Sequence, residues 1–347
     1  MKTAHQTFKD IAPDLMSCPS VRNVLFDPRV LNIARALLGQ DLVYYPESVL
    51  NYEDRIGPIT LAPYAQLHCD AMGMPTDLYQ QWQSPTDATY RGYRFGIYIQ
   101  DYESHSGGLK LCPGTHRGDA LSYIREAVEM PVKDTVHIGP HTAEAPQTSF
   151  PLYNVPSRPG DLVVWNLRTV HSAGARLLRE APTQAFHPAF EDYIEATWPE
   201  LLCPIPGPRL TMFFDYAAPA EDIDLYIKSR TAWIEEGGFQ KYVAAQYDTP
   251  AVVTHAKQQG IRFRFDHLIT TLAVGLIGQR FADPQAVGAR LLALADQHEE
   301  FSPHFPLFDL ARYRAVRTQA PDQALQIVLE GVDRHADVTQ RLSGETA

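Results

Sequence analysis

The sequence predicts a mainly β protein: a double-sheet jelly roll with helices covering one sheet, a helical lead-in and a helical C-terminal third. Three observations carry this. Residues 42–52, 93–102, 108–112, 161–170 and 209–217 are short and rich in aromatic or β-branched residues, and Gly- and Pro-containing segments separate many of them. Residues 27–39 have the spacing and the ends of a helix. After Pro219 the helical period returns.

The lead-in helix is defined by its ends. Asp27 can accept the first free N–H groups, Pro28 suits the first turn and Gly39 can end the helix. In the last third, Asp283-Pro284 opens a segment with Val287, Leu291 and Leu294 on one face. Pro321-Asp322 opens another with Leu325, Val328, Leu329 and Val332. No repeat or linker-like break interrupts residues 42–218. A single domain over 1–347 is expected, with lead-in 1–41, β core 42–218 and helical region 219–347. The apolar faces of the last helices need burial, against the roll or at a homo-oligomer interface.

Composition then narrows the function. The 347 residues, 45% hydrophobic and 20% charged, can bury a substantial core. A net charge of −11 argues against general nucleic-acid binding, which rests on many Lys and Arg contacts to phosphate. No apolar run approaches the ~20 residues of a membrane helix. The opening MKTAHQTFKDIAPDL lacks the basic and apolar stretches of a signal peptide, so a cytoplasmic protein is expected. The four cysteines, Cys18, Cys69, Cys112 and Cys203, form no C-x-x-C pair, which disfavours a zinc ribbon, a thioredoxin-like site or a disulfide framework.

His68-Cys69-Asp70 is the central motif. On a strand, residues i and i+2 face the same way, so His68 and Asp70 can point at one ion while Cys69 turns away. Two histidines and one carboxylate on one side of an octahedral metal form the facial triad of non-heme iron(II) oxygenases, with three positions left open. His171, at the end of the strand-like run before Ser172-Ala173-Gly174, is the best third ligand. The sequence also supplies a control. His335-Ala336-Asp337 has the same spacing on an amphipathic helix, where i and i+2 lie about 200° apart and cannot readily clasp one ion.

Around this motif, residues 42–218 resemble the phytanoyl-CoA dioxygenase-like family. Gly107-Gly108-Leu109-Lys110-Leu111-Cys112-Pro113-Gly114-Thr115-His116 is similar to its G-x-L-x-x-x-P-G-S/T-H stretch. Arg158-Pro159-Gly160-Asp161-Leu162-Val163-Val164-Trp165 is similar to the strand leading to the distal iron histidine. The resemblance implies a double-stranded β-helix, iron(II), 2-oxoglutarate as cosubstrate, O2, and release of succinate and CO2. Related halogenases replace the carboxylate with a small residue. With Asp70 present, hydroxylation of a small molecule is preferred, and desaturation, cyclisation or epimerisation stay open.

The family places an arginine about ten residues after the distal histidine, to pair with the far carboxylate of 2-oxoglutarate; position 181 here is Ala. Arg209-Leu210-Thr211-Met212-Phe213-Phe214-Asp215-Tyr216 resembles the final core strand, displaced by an insertion over about 177–207. Arg209 and Thr211 share a face by alternation, and a planar guanidinium suits a carboxylate. Arg209 is therefore favoured over Arg176 and Arg179. Ser172 resembles a position near the cosubstrate, or else is an ordinary turn serine. Trp165 packs near the cosubstrate or in the core, and Asn51 is a candidate contact to the oxo-acid.

Other residues have plainer readings. His116 is a structural hydrogen-bonding residue, and His105, His137 and His141 fall in solvated loops. Tyr90, Arg91 and Arg94 line an acidic-substrate pocket or, more commonly, are exposed strand residues. The insertion and the segment Met72 to Tyr90 are expected to form lids. Two rival functions share these residues: a non-catalytic jelly-roll binding protein, and a zinc-dependent hydrolase.

Overall fold

The computed structural model describes residues 19–53, 67–70, 91–104, 107–118, 132–174, 176–204, 207–218 and 249–263, with isolated positions from 316 to 330. The helix expected from Asp283, the control pair at His335, His105 and the segment Met72 to Tyr90 lie outside the described residues, whereas Gln323, Gln326 and Glu330 of the segment expected from Pro321 are helical. The chain divides into two compact units. One comprises 1–12, 47–72 and 83–216, and the other 13–46, 73–82 and 217–347.

The first unit holds the β core. Its strands β1 (Leu42–Glu53), β9 (Arg209–Ala217), β2 (Gly92–Tyr98) and β7 (Leu162–Asn166) lie side by side in that order. Strands β6 (Tyr153–Val155), β3 (Leu109–Leu111) and β8 (His171–Ala173) form a smaller sheet. β2 runs antiparallel to β7, with Arg94 opposite Trp165 and Gly96 opposite Val163. In the small sheet, Leu111 lies opposite both Tyr153 and His171. An isolated bridge between His68 and His171 extends that sheet past β8.

Alternation sends every second residue inward, and the two sheets meet on those residues. Tyr98, Trp165 and Phe213 of the large sheet share one apolar cluster with Leu109 of the small one. This is the mainly β, double-stranded β-helix architecture expected from the sequence. Between these rings Gly96 has no room for a side chain: a Cβ would lie 2.9 Å from Phe213 Cε1 and 3.1 Å from Trp165 Cζ3. Gly96→Ala is expected to cost about 1–3 kcal/mol, the scale of overpacking a closed core. An unchanged denaturation midpoint would show that the two rings move aside freely.

The insertion, expected to form a lid, is a packed element. It contains α3 (Pro188–Thr197), whose N-terminus is capped by His187 Nδ1 accepting from the Ala189 N–H at 3.2 Å. Leu178, Phe186, Phe190, Ile194 and Leu202 bury themselves against Ile138 and Ala145. Those two residues belong to a hairpin of β4 (Val132–Ile138) and β5 (His141–Gln147), which the sequence reading missed. His137 and His141 therefore sit on strands rather than in loops. His137 Nδ1 lies 3.0 Å from Thr142 Oγ1, and His141 stacks on Trp198 at 4.6 Å. Lys110 is wholly buried, its Nζ 2.6 Å from Glu191 Oε2 and 2.8 Å from the Phe186 carbonyl. A lysine so deep must be paired, and this pair ties the insertion to β3.

In the second unit, α1 (Pro19–Leu25) precedes α2 (Pro28–Leu38). The expected ends of α2 are present: Asp27 Oδ1 accepts the Arg29 N–H at 2.8 Å, and Gly39 takes φ 93°. α4 (Thr249–Gln258) ends at Gly260, φ 67°, and a short strand β10 (Ile261–Phe263) follows. β10 pairs in parallel with the start of β1, Leu42 opposite Ile261. The region expected to be helical thus also holds a strand, too short for its alternation to register. Phe26 packs on Tyr44 at 6.3 Å and on His255 at 4.8 Å. No described helix is long and apolar enough to cross a membrane.

Candidate metal centre and cosubstrate pocket

His68 and His171 are brought together by the main chain. The His68 N–H donates to the His171 carbonyl at 2.9 Å, and the His171 N–H returns to His68 at 2.7 Å. Their rings stand 4.5 Å apart, and Asp70 Oδ1 lies 3.7 Å from His171 Nε2. Cys69 is buried. His68 and Asp70 thus both lie beside His171, although the strand expected to align them is only an isolated bridge at His68, with Asp70 in a turn. Among the described residues, no three His, Cys, Asp or Glu side chains form a ready-made metal cage.

The donor chemistry at this point nevertheless fits a cation. His171 Nδ1 lies 2.9 Å from the Thr169 carbonyl, which can only accept, so Nδ1 carries the proton. Burial pushes the His171 pKa down to about 4, against the opposing pull of Asp70, so the ring is neutral. Its Nε2 lone pair then faces a carboxylate oxygen with no proton to share. A cation joins two such donors, and a backbone carbonyl on the far ring nitrogen is the usual support for a metal-binding histidine.

The Pro-Gly-Thr-His turn holds the strand that carries His171. Thr115 Oγ1 donates to the Cys112 carbonyl at 2.7 Å and accepts from the Val170 N–H at 2.9 Å. The Cys112 N–H donates to the Val170 carbonyl at 2.9 Å. Thr115→Val keeps the shape and strips both hydroxyl bonds, leaving a buried N–H unsatisfied. A loss of about 1–3 kcal/mol is expected in denaturant titration. A neutral result would mean that water replaces the hydroxyl. His116 lies half-buried in the same turn, and burial holds its pKa below the usual histidine value.

Arg209 and Thr211 are both buried on β9, on the face that also carries Phe213 and Asp215. Arg209 Nη1 donates to the Gly108 carbonyl at 2.7 Å. The Trp165 ring lies 5.6 Å from that of His171 and 5.8 Å from that of Phe213. Thr211 Oγ1 and Trp165 Nε1 are buried with no hydrogen-bond partner among the described residues. Such atoms are rare in folded proteins and call for a polar partner. A guanidinium with a free hydroxyl and a free indole N–H on the same inward faces fits a small dicarboxylate such as 2-oxoglutarate.

The rival arginines are engaged elsewhere. Arg176 bonds Glu195 Oε1 and the Cys203 carbonyl, each at 3.1 Å, and Arg179 Nε bonds the Leu202 carbonyl at 2.8 Å. Both brace the insertion. Ser172 departs from expectation. It lies opposite Lys110 on the neighbouring strand, so alternation turns it to the face of β8 away from His171. Asn51 lies in β1, but its side chain is outside the described residues, as is Tyr90.

Arg94 is the residue most misjudged from sequence. Its side chain is only 14% exposed and reaches two carboxylates: Asp70 at 2.6 Å and Asp215 at 2.9 Å. The available signal was parity, since Arg94 shares the inward face of β2 with Gly96 and Tyr98.

With this geometry in place, the family model shows the family. The family model of phytanoyl-CoA dioxygenase (PhyH) matches residues 3–177, just over half of the chain. The chain belongs to this family. No curated protein matches it. Among solved structures it is similar to SnoN, a non-heme alpha ketoglutarate dependent epimerase from nogalamycin biosynthesis. That match has 17% identity, covers 63% of this chain and 64% of that one, and has a TM-score of 0.35. EctD from S. alaskensis, with 2-oxoglutarate and 5-hydroxyectoine, matches at 15% identity, 58% and 54% coverage, and TM-score 0.32. The apo non-heme monooxygenase ThoJ matches at 17% identity, 57% and 55% coverage, and TM-score 0.30. The chain thus spans little more than half the length of EctD and ThoJ.

Proposed function

We propose that the chain is an iron(II)- and 2-oxoglutarate-dependent dioxygenase that hydroxylates an unactivated C–H bond of a small molecule, releasing succinate and CO2. The observation that supports this best is the convergence of His68, Asp70 and a neutral His171, with Arg209, Thr211 and Trp165 on the inward faces of the same β core. His68, Asp70 and His171 would hold the iron, which supplies dioxygen activation when bound.

The remaining work falls to the chain's own side chains. Arg209 takes the distal carboxylate of 2-oxoglutarate as a planar two-point donor, and Thr211 donates its hydroxyl beside it. The Trp165 indole N–H provides a further donor. Tyr98, Leu109 and Phe213 enclose the interior in apolar surface, which keeps water from the reacting atoms. Asp70 fills the carboxylate position, which favours hydroxylation.

We place this activity in one domain over 1–347, in the cytoplasm, acting on a small acid, amino acid or natural-product intermediate. The net charge of −11 supports a partner other than nucleic acid, and residues 219–347 are the proposed surface for any homo-oligomer. Anaerobic addition of iron(II) and 2-oxoglutarate is expected to give the visible charge-transfer band of a chelated complex. Aerobic screening should then find a compound that stimulates succinate release. Absence of both the band and any succinate would defeat the proposal.

A further inference from the structure

We infer that Arg94 is a positioning residue that fixes the carboxylate of Asp70, with Asp215 as its anchor. This rests on the reading of Asp70 as an iron ligand. Arg94 Nε and Nη2 meet Asp215 Oδ1 and Oδ2, both at 2.9 Å, in a two-point fork. The remaining nitrogen, Nη1, meets Asp70 Oδ1 at 2.6 Å. All three side chains are shielded from water, at 14%, 2% and 5% exposure for Arg94, Asp215 and Asp70.

The arrangement supplies what the local backbone lacks. Asp70 follows a single bridged residue, His68, and lies in a turn, so strand pairing does not hold its side chain. Arg94 and Asp215 lie instead on adjacent strands in the middle of the large sheet. Only arginine has the fixed fork of five donors that can grip one carboxylate at two points and still reach another. Charge balance matters as well. One guanidinium shared by two carboxylates leaves the trio at −1, so Asp70 keeps attraction for a divalent cation. With Asp215 neutral, the whole positive charge of Arg94 would turn on Asp70 and compete with the metal.

The test is anaerobic iron(II) titration of full-length variants, read by binding and by the position of the charge-transfer band rather than by turnover. Asp215→Asn and Arg94→Lys are each expected to weaken iron(II) affinity by about 10–100-fold, the range for removing an outer support of a metal ligand, and to shift the band. Lysine should fail to rescue, because it is a point donor. In the doubly changed Arg94→Gln/Asp215→Asn protein the losses should not add. If Arg94→Lys does not fold, the isosteric Asp215→Asn decides alone. Asp215→Asn binding iron(II) within about twofold of the native protein, with an unmoved band and only a lower melting temperature, would overturn the inference and leave the triad standing. A native protein that binds no iron(II) would overturn both.

Discussion

His171→Ala is expected to abolish iron(II) binding, and with it the visible band formed with 2-oxoglutarate under anaerobic conditions. His171 is the hub of the site: its main chain bridges His68, its ring lies tilted 4.5 Å from that of His68, and its Nε2 faces Asp70. Alanine preserves both main-chain hydrogen bonds, so His68 and Asp70 should keep their places. What is lost is one of three strong donors, and two donors at an exchange-labile ion hold it far less well. The comparison is His335→Ala, in the second His-x-Asp of the chain. That pair falls in a stretch of sequence with helical period, where i and i+2 are expected about 200° apart, and the variant should retain the band. Equal loss in both would discredit the assignment, because spacing alone would then predict the metal as well as setting does.

How much of this was legible follows from the range of each signal. Strand parity reaches two residues and singled out His68 and Asp70, but the strand it assumed is absent: His68 makes one isolated bridge and Asp70 lies in a turn. Helix-end chemistry is equally local, and Asp27, Pro28 and Gly39 were read correctly for that reason. The same rule, applied consistently, would have removed Ser172, because a neighbour in sequence on a strand points to the opposite face. The Asp70–Arg94–Asp215 clamp was not legible. Its partners are 24 and 121 residues apart, and no local pattern names the partner of a buried arginine. The hairpin was missed because Val132–Ile138 and His141–Gln147 carry few aromatic residues and expose much of both strands. The insertion read as loop because its apolar residues pack against that unrecognised hairpin rather than against the core.

Arg209→Ala should raise the Kd for 2-oxoglutarate by at least about thirtyfold, or about 2 kcal/mol, while leaving iron(II) binding nearly intact. The scale is that of truncating one partner of a buried, hydrogen-bonded charge pair. A carboxylate inside the roll requires a cation beside it, since burying one unpaired is prohibitive. Arg209 is buried on the inward face of β9 with Thr211, whose hydroxyl has no partner among the described residues. The substitution should not damage the fold on its own account. The Gly108 carbonyl that Arg209 contacts also accepts the Gly174 N–H at 2.8 Å, so it stays satisfied. Arg176→Ala is the decisive comparison. Arg176 is committed to Glu195 and the Cys203 carbonyl within the insertion, and its loss should weaken packing there without changing cosubstrate affinity. Direct titration with 2-oxoglutarate in the presence of iron(II) separates the two. Should Arg176→Ala lose affinity and Arg209→Ala keep it, the insertion has been placed on the wrong side of the cosubstrate and β9 is not the final core strand.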